Sequence, residues 1–327
     1  MATGIVSIAA GLAELRTISI SLFVVNLAAF PVLLVLLAVH LRRRPASVLA
    51  DLADHQRAPG MLAIIAATCV LGNEIASATM YQTLAAGLWI AAFVLWFVLV
   101  YGCLVAMTIT PDKPSVASGI NGSWLLLVVS TQALSILTMR VGDIAVAADI
   151  AWFASLCLFL LGGTFYLVVL VMIVSRWLFA RMRPDQFTAP YWINMGAAAI
   201  SALAGARLFV VFGADPTLAP VRNVIFTATV LFWSLASWWI PLLVALAFWR
   251  HRSLGIRSVY SPENWSIVFP LGMYTTATWR LSHDLGLRFL QPVPEVFVWV
   301  ALAAWVLTSA GMVRRAFGGP HGAETVS

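Results

Sequence analysis

Three ionisable side chains interrupt runs that are otherwise apolar: Glu74, Arg207 and Arg280. They lie 15, 17 and 18 residues beyond Pro59, Pro190 and Pro262, which open those runs. At 1.5 Å per helical residue, all three fall roughly 22–27 Å from a common starting plane. A guanidinium at that depth can attract an anion, lock two helices together by pairing with the carboxylate, or snorkel to headgroups. Spacing alone leaves the three open. Phe269-Pro270 precedes Arg280 in the same run. Pro270 lacks an N–H and disturbs the Ser266 carbonyl. The resulting kink can turn Phe269 toward a central axis as a hydrophobic gate, or the ring can simply pack.

Other chemistries find little support. Glu74 is the one carboxylate clearly inside an apolar run, whereas cation pumps and proton relays hold several, so the balance favours an anionic passenger. His283 and Asp284 read as polar residues at an outer mouth. His40, His55, His251 and His321 are scattered, so neither a metal centre nor any other cofactor is expected. Cys69, Cys103 and Cys157 sit in apolar runs and read as reduced, packed thiols.

These residues need a scaffold that holds them in hydrocarbon. The 327-residue chain is 62% hydrophobic and 10% charged, with a mean hydropathy of +0.96. Soluble domains carry about 25% charged residues, so a soluble enzyme, a disordered regulator and a secreted disulfide scaffold are excluded. The net charge of +6 is too thinly spread for a nucleic-acid partner. Apolar runs fall near 1–12, 19–40, 60–81, 84–109, 121–139, 144–175, 190–212, 223–249, 264–287 and 294–316. They predict an all-α integral membrane protein with ten spans in one domain, 1–317, and a short cytoplasmic tail, 318–327. The first run is too short to cross about 30 Å of hydrocarbon. It reads as a truncated first helix or a half-span, and less well as a signal peptide, since a basic leading region is missing.

Arg42, Arg43, Arg44, Arg57, Lys113, Arg176, Arg181, Arg183, Arg250, Arg252, Arg257, Arg314 and Arg315 fall in loops after even spans or near the C-terminus. They are 13 of the 19 Lys and Arg residues, which by the positive-inside rule puts both termini in the cytoplasm. Odd spans open alike, at Pro59-Gly60, Asn121-Gly122-Ser123-Trp124, Pro190-Tyr191-Trp192 and Pro262-Glu263-Asn264-Trp265. They are also richer in small and hydroxyl residues, whereas even spans are blander. That contrast suggests odd helices inside and even helices against lipid, although small residues also serve ordinary helix packing.

Five strings, MATGIVS (1–7), PGMLAIIAATCVLG (59–72), NGSWLLLVVSTQ (121–132), PYWINMGAAAI (190–200) and WSIVFPLGMY (265–274), together resemble the tellurite-resistance/dicarboxylate transporter family. That family includes the yeast malate permease and plant slow anion channels. The resemblance implies five helical hairpins, with inner odd helices around a central pore and outer even helices in lipid. It also implies a homotrimer with one pore per protomer. Phe269 maps to the family's occluding phenylalanine. Thr3, Ser7, Thr68, Gly72, Ser130, Thr131, Asn194, Ser201, Pro270, Thr275 and Thr276 fall in the segments that would line the pore, and Arg207, Arg280 and Glu74 are the candidates for anion attraction or coupling.

The expected activity is passage of small anions, C4-dicarboxylates such as malate foremost, across a bacterial-type inner membrane. The alternatives are a channel for chloride, nitrate or sulfite, a tellurite-resistance-type protein, and a non-transporting membrane scaffold. A membrane enzyme would need a nucleophile–base pair or metal cluster, and neither is found.

Overall fold

The computed structural model describes residues 1–79, 81–213, 216–254 and 260–317. Arg257, His321 and the tail expected at 318–327 lie outside the described residues. No strand occurs among the described residues, and ten main helices form five consecutive pairs. The first pair is α1 (Ala2–Leu12) with α2 (Arg16–Arg43), and the second is α3 (Ala63–Ala78) with α4 (Gln82–Ile109). The third is α5 (Leu126–Ala145) with α6 (Ala148–Phe179), and the fourth is α7 (Ile193–Val211) with α8 (Ala219–Leu254). The last is α9 (Trp265–Asp284) with α10 (Pro292–Phe317).

The prolines and asparagine that punctuate the sequence begin the odd helices. Pro59, Pro190 and Pro262 occupy first turns ahead of α3, α7 and α9, where a missing N–H breaks no helical bond. Asn121 caps the turn before α5, its side chain accepting from the Ser123 N–H at 2.9 Å. At the opposite ends the turns are tight: Glu14 between α1 and α2 has φ 62°, and Gly286 between α9 and α10 has φ 74°.

Each odd helix packs on two others. α1 touches α3 and α9, α5 touches α3 and α7, and α7 touches α9, which closes a ring of five. Even helices lie outside it. Only 11% of the apolar window of α2 is buried inside the protein, against 89% for Gly122–Ala145. Without water to drive apolar surfaces together, such contacts rest on close packing of small residues. Gly196 of α7 shows this: an added Cβ would lie 2.9 Å from Cγ of Pro270 on α9.

Eight segments among the described residues are long and apolar enough to cross a membrane. The two remaining helices of the ten are α1, with 11 residues, and α9, with 20 residues and a more polar composition. Eight crossings thus follow from length and apolarity, against the ten spans expected from the sequence. The stretch 44–62 between α2 and α3 holds two short helices, Pro45–Ala53 and Ala58–Met61. Cys69 and Cys103 are buried, but Cys157 is exposed on α6 and is not a packed thiol. Its neighbours Phe153 and Leu160 are exposed as well, so this face of α6 is not covered by the rest of the chain.

Candidate anion pathway

The orientation of α9 fixes the site. Gly272 faces Ile5 and Val6 of α1, whereas Pro270 faces Gly196 of α7. On its back, Thr278 accepts from Nε1 of Trp233 at 3.0 Å, and the Tyr274 hydroxyl lies 2.9 Å from Oγ of Ser237, both partners on α8. At about 3.6 residues per turn, Thr278 is two and a half turns from Phe269 and so points the opposite way. The face between the α1 and α7 contacts therefore turns to the ring axis. It carries Phe269, Met273, Thr276 and Arg280. Phe269 is fully buried, at 0% exposure, and Thr276 is buried too.

The wall, in contrast, uses many of the hydroxyls. Nε1 of Trp96 and Trp89 on α4 donate to Thr131 and Thr138 of α5, at 2.9 and 2.8 Å. Trp305 of α10 donates to Thr3 of α1 at 3.0 Å. With Trp233 and Thr278, three outer helices, α4, α8 and α10, thus clasp the inner helix of the next hairpin, α10 reaching back to α1. Thr3 and Thr131, expected to face the conduit, therefore turn toward the outer layer. Ser7 does likewise, its Oγ donating to the Ser19 carbonyl at 2.9 Å.

The other residues named from the sequence divide in the same way. Asn194 and Ser201 share the face of α7 on which Gly205 meets Thr229 of α8 and Phe159 of α6, so they point outward. Pro270 packs on α7 and Gly72 packs against Leu137 of α5. Thr275 borders a cleft of about 390 Å³ with the end of α1 and the start of α10, beside His283 and Glu295. Thr68 is buried and returns its hydroxyl to the Ile64 carbonyl. Ser130 stands opposite Gln132, which bonds the Phe159 carbonyl of α6, and so turns away from the outer layer. Thr276, Ser130 and Phe269 remain on the axial side.

The charges sort into two groups. Arg207 ends the inner face of α7, and Arg140 and Arg280 are its electrostatic neighbours, with Asp284 as the nearby anion. Arg207 and Arg140 border a cleft of about 580 Å³ together with Gln82 and Asp143. Nη2 of Arg140 donates to the Ala76 carbonyl at 3.0 Å, which orients the guanidinium. Arg280 lies 3.5 Å from Asp284 and 5.0 Å from the centre of the Trp279 ring. Glu74 stands apart: its Oε2 accepts from Nδ2 of Asn26 on α2. The Arg–Glu bridge left open by the sequence does not form. Among the described residues no group of His, Cys, Asp and Glu could hold a metal ion.

The sequence reading missed Arg140 as a member of this cluster, and Asn26 altogether. Arg140 could have been found from register, since it sits near the end of α5 as Arg207 and Arg280 do on theirs. Asn26 is an isolated amide in an apolar outer helix and gives little signal alone.

The profile of the voltage-dependent anion channel (SLAC1) family matches residues 1–313. The chain belongs to that family. Like other SLAC1-family chains, this membrane protein is thus a member of a transporter and channel family for anions. An uncharacterized membrane protein of Mycobacterium tuberculosis is 40% identical over 150 residues, which cover 46% of this chain and 75% of that protein, in both strain CDC 1551 and strain H37Rv. An uncharacterized transporter of Methanocaldococcus jannaschii is 20% identical over 158 residues, 48% of this chain and 44% of that one. SLAC1-family membership gives the axial stripe of α9 a context: a ring of helices, an aromatic within it and arginines at one end suit passage of anions.

Proposed function

We propose that this protein carries small anions, C4-dicarboxylates such as malate foremost, across the inner membrane through a conduit within each protomer of a homotrimer. Phe269 constricts the conduit, and Arg207, Arg280 and Arg140 raise the anion concentration at its outer mouth. The single observation that carries this reading is the shared axial face of Phe269, Thr276 and Arg280 on α9. The excess of basic residues in loops after even spans supports cytoplasmic termini. Residues 1–317 act as one transporting domain in this reading.

A second reading, a channel for chloride, nitrate or sulfite, is favoured by the sparse polar lining beside Phe269, which offers a carboxylate substrate few fixed partners. Purified protein in liposomes, tested with chloride, nitrate, sulfite and malate with and without a pH gradient, separates the two. Malate-selective flux supports the first, and unselective electrogenic flux supports the second. Absence of flux for every anion, from folded protein, leaves a membrane scaffold.

A further inference from the structure

We propose that the ends of α6 and α8, on the side where the odd helices begin, form a binding site for an anionic phospholipid. Its phosphate sits among Arg181, Arg183 and Arg250, and its acyl chains lie against the apolar side chains that precede them. The inference goes beyond the transport reading and does not depend on it.

α6 has 32 residues and α8 has 36. At 1.5 Å per residue they extend roughly 48 and 54 Å, well past a hydrocarbon core of about 30 Å. Their ends therefore reach the headgroup layer. Both helices change character there in the same order. Leu178 and Phe179 are 70% and 86% exposed, and Arg181 and Arg183 follow them. Phe248 and Trp249 are exposed, and Arg250 and Arg252 follow them. Apolar side chains followed by guanidiniums mark the boundary between hydrocarbon and headgroups.

The two ends belong to one seam. Nε1 of Trp239 on α8 donates to the Tyr166 hydroxyl of α6 at 2.8 Å, and the Trp177 ring of α6 meets Trp239 at right angles, centres 5.5 Å apart. Arg250 comes three turns after Trp239 and so continues the face of α8 that looks to α6. There α8 packs against Pro184–Gln186, the turn that follows α6. Rings thus fill the seam as far as Trp177, and arginines stand beyond it.

The charge at this end is unbalanced. Arg183 donates to Asp185 at 3.1 and 2.6 Å, and Arg250 acts on the same carboxyl electrostatically. One carboxylate thus faces the arginines of both ends. Among the described residues neither Arg181 nor Arg250 makes an ion pair. Arg252 turns to the Phe248 ring, its Cζ 5.6 Å from the centre. Surplus positive charge beside exposed rings fits one molecule that carries an anionic head and hydrocarbon tails. A guanidinium can give a phosphate two parallel hydrogen bonds, and basic pockets between spanning helices suit such headgroups. A soluble anion would meet the charge and leave Phe179 bare.

The test uses the full chain in detergent, its melting temperature followed as lipid is added. The probes are phosphatidylglycerol, phosphatidylcholine with the same acyl chains, and soluble glycerol phosphate. Phosphatidylglycerol is expected to raise the melting temperature saturably, at about one tenth of the concentration that phosphatidylcholine needs. Arg181→Gln combined with Arg250→Gln should weaken that response about tenfold and leave the response to phosphatidylcholine unchanged. Arg42→Gln combined with Arg43→Gln removes the same charge from the end of α2 and should leave the phosphatidylglycerol response almost unchanged. Equal responses to the two lipids in the wild type, or equal losses in the two double variants, overturn the site and leave a general basic belt. An equal response to glycerol phosphate overturns a lipid ligand. Where the first double variant does not melt cooperatively, Asp185→Asn decides: removing the carboxylate must tighten the phosphatidylglycerol response several-fold, and an unchanged or weakened response overturns the proposal. Anion flux enters none of these outcomes, so the transport reading is tested separately.

Discussion

Phe269 and Arg280 stand on one face of α9, eleven residues and three turns apart, roughly 16 Å along the helix. Thr276 lies between them on the same face. One helix therefore presents a bulky apolar ring, a hydroxyl and a guanidinium in sequence along the ring axis. Its back is held by Trp233 and Ser237 of α8. In the proposed pathway an anion would meet the charge of Arg280 first and the Phe269 ring second.

Removing the ring should open the path. Phe269→Ala is expected to raise anion flux into liposomes several-fold. The same change leaves a cavity and should lower stability by about 3–5 kcal/mol, so thermal melting is read on the same sample. Unchanged flux from protein that still melts cooperatively would make Phe269 a packing residue.

Arg207, Arg280 and Arg140 should act through charge and at a distance. Arg207→Glu and Arg280→Glu are each expected to depress anion uptake, and Arg140→Gln to do so less. The deficit should shrink as ionic strength rises, because the Debye length falls from about 30 Å at 0.01 M to about 10 Å at 0.1 M. A deficit that ignores salt would assign these residues to structure instead of attraction.

The clasps should matter for stability and not for passage. Trp96→Phe and Thr131→Val each remove one buried hydrogen bond, an expected loss of about 0.5–1.5 kcal/mol. Because the two changes break the same bond, the double variant should lose less than the sum of the singles. Flux per folded protein should stay at the wild-type level. Additive losses would show that the indole and hydroxyl act independently.

A loop outside the spans gives a pH expectation. Hydrogen bonds from the Arg183 guanidinium to Asp185, at 3.1 and 2.6 Å, hold that carboxyl below its ordinary value of 3.8. The folded form binds its proton less readily than the unfolded form. Its contribution is therefore complete above the ordinary carboxylate range and fades as pH falls through the lower folded value. Both side chains are exposed, so Asp185→Asn should leave the melting temperature at pH 7 almost unchanged. A large drop there would contradict a solvent-screened pair.

Much of this architecture was legible in the sequence, and for identifiable reasons. Hydrophobic runs set the helices, and Pro59, Pro190 and Pro262 marked true helix starts. The grease of the even spans matched their position outside the ring, where little of it is buried by the rest of the chain. Side-chain direction was the part that spacing could not supply. Thr3, Ser7 and Thr131 were rightly placed on inner helices, yet their hydroxyls serve partners in the outer layer, because an indole N–H or a backbone carbonyl there needs or supplies a hydrogen bond. A threonine facing a pore and one facing a tryptophan look alike in a string. Glu74 and the arginines shared a depth but not a neighbourhood, since depth follows from counting residues while azimuth depends on packing. Asn26 became visible only once its amide met Glu74.

The bond from Trp305 to Thr3 joins residues 302 positions apart. Chains emerge from the ribosome N-terminal end first, so α1 is made long before its clasp exists. Until α9 closes the ring and α10 packs outside it, the seam beside α1 is incomplete, with the Thr3 hydroxyl lacking its donor. Biogenesis thus ends with a latch. Released chains truncated before residue 305 should stay open to protease, whereas the full chain should give a closed, protease-resistant particle.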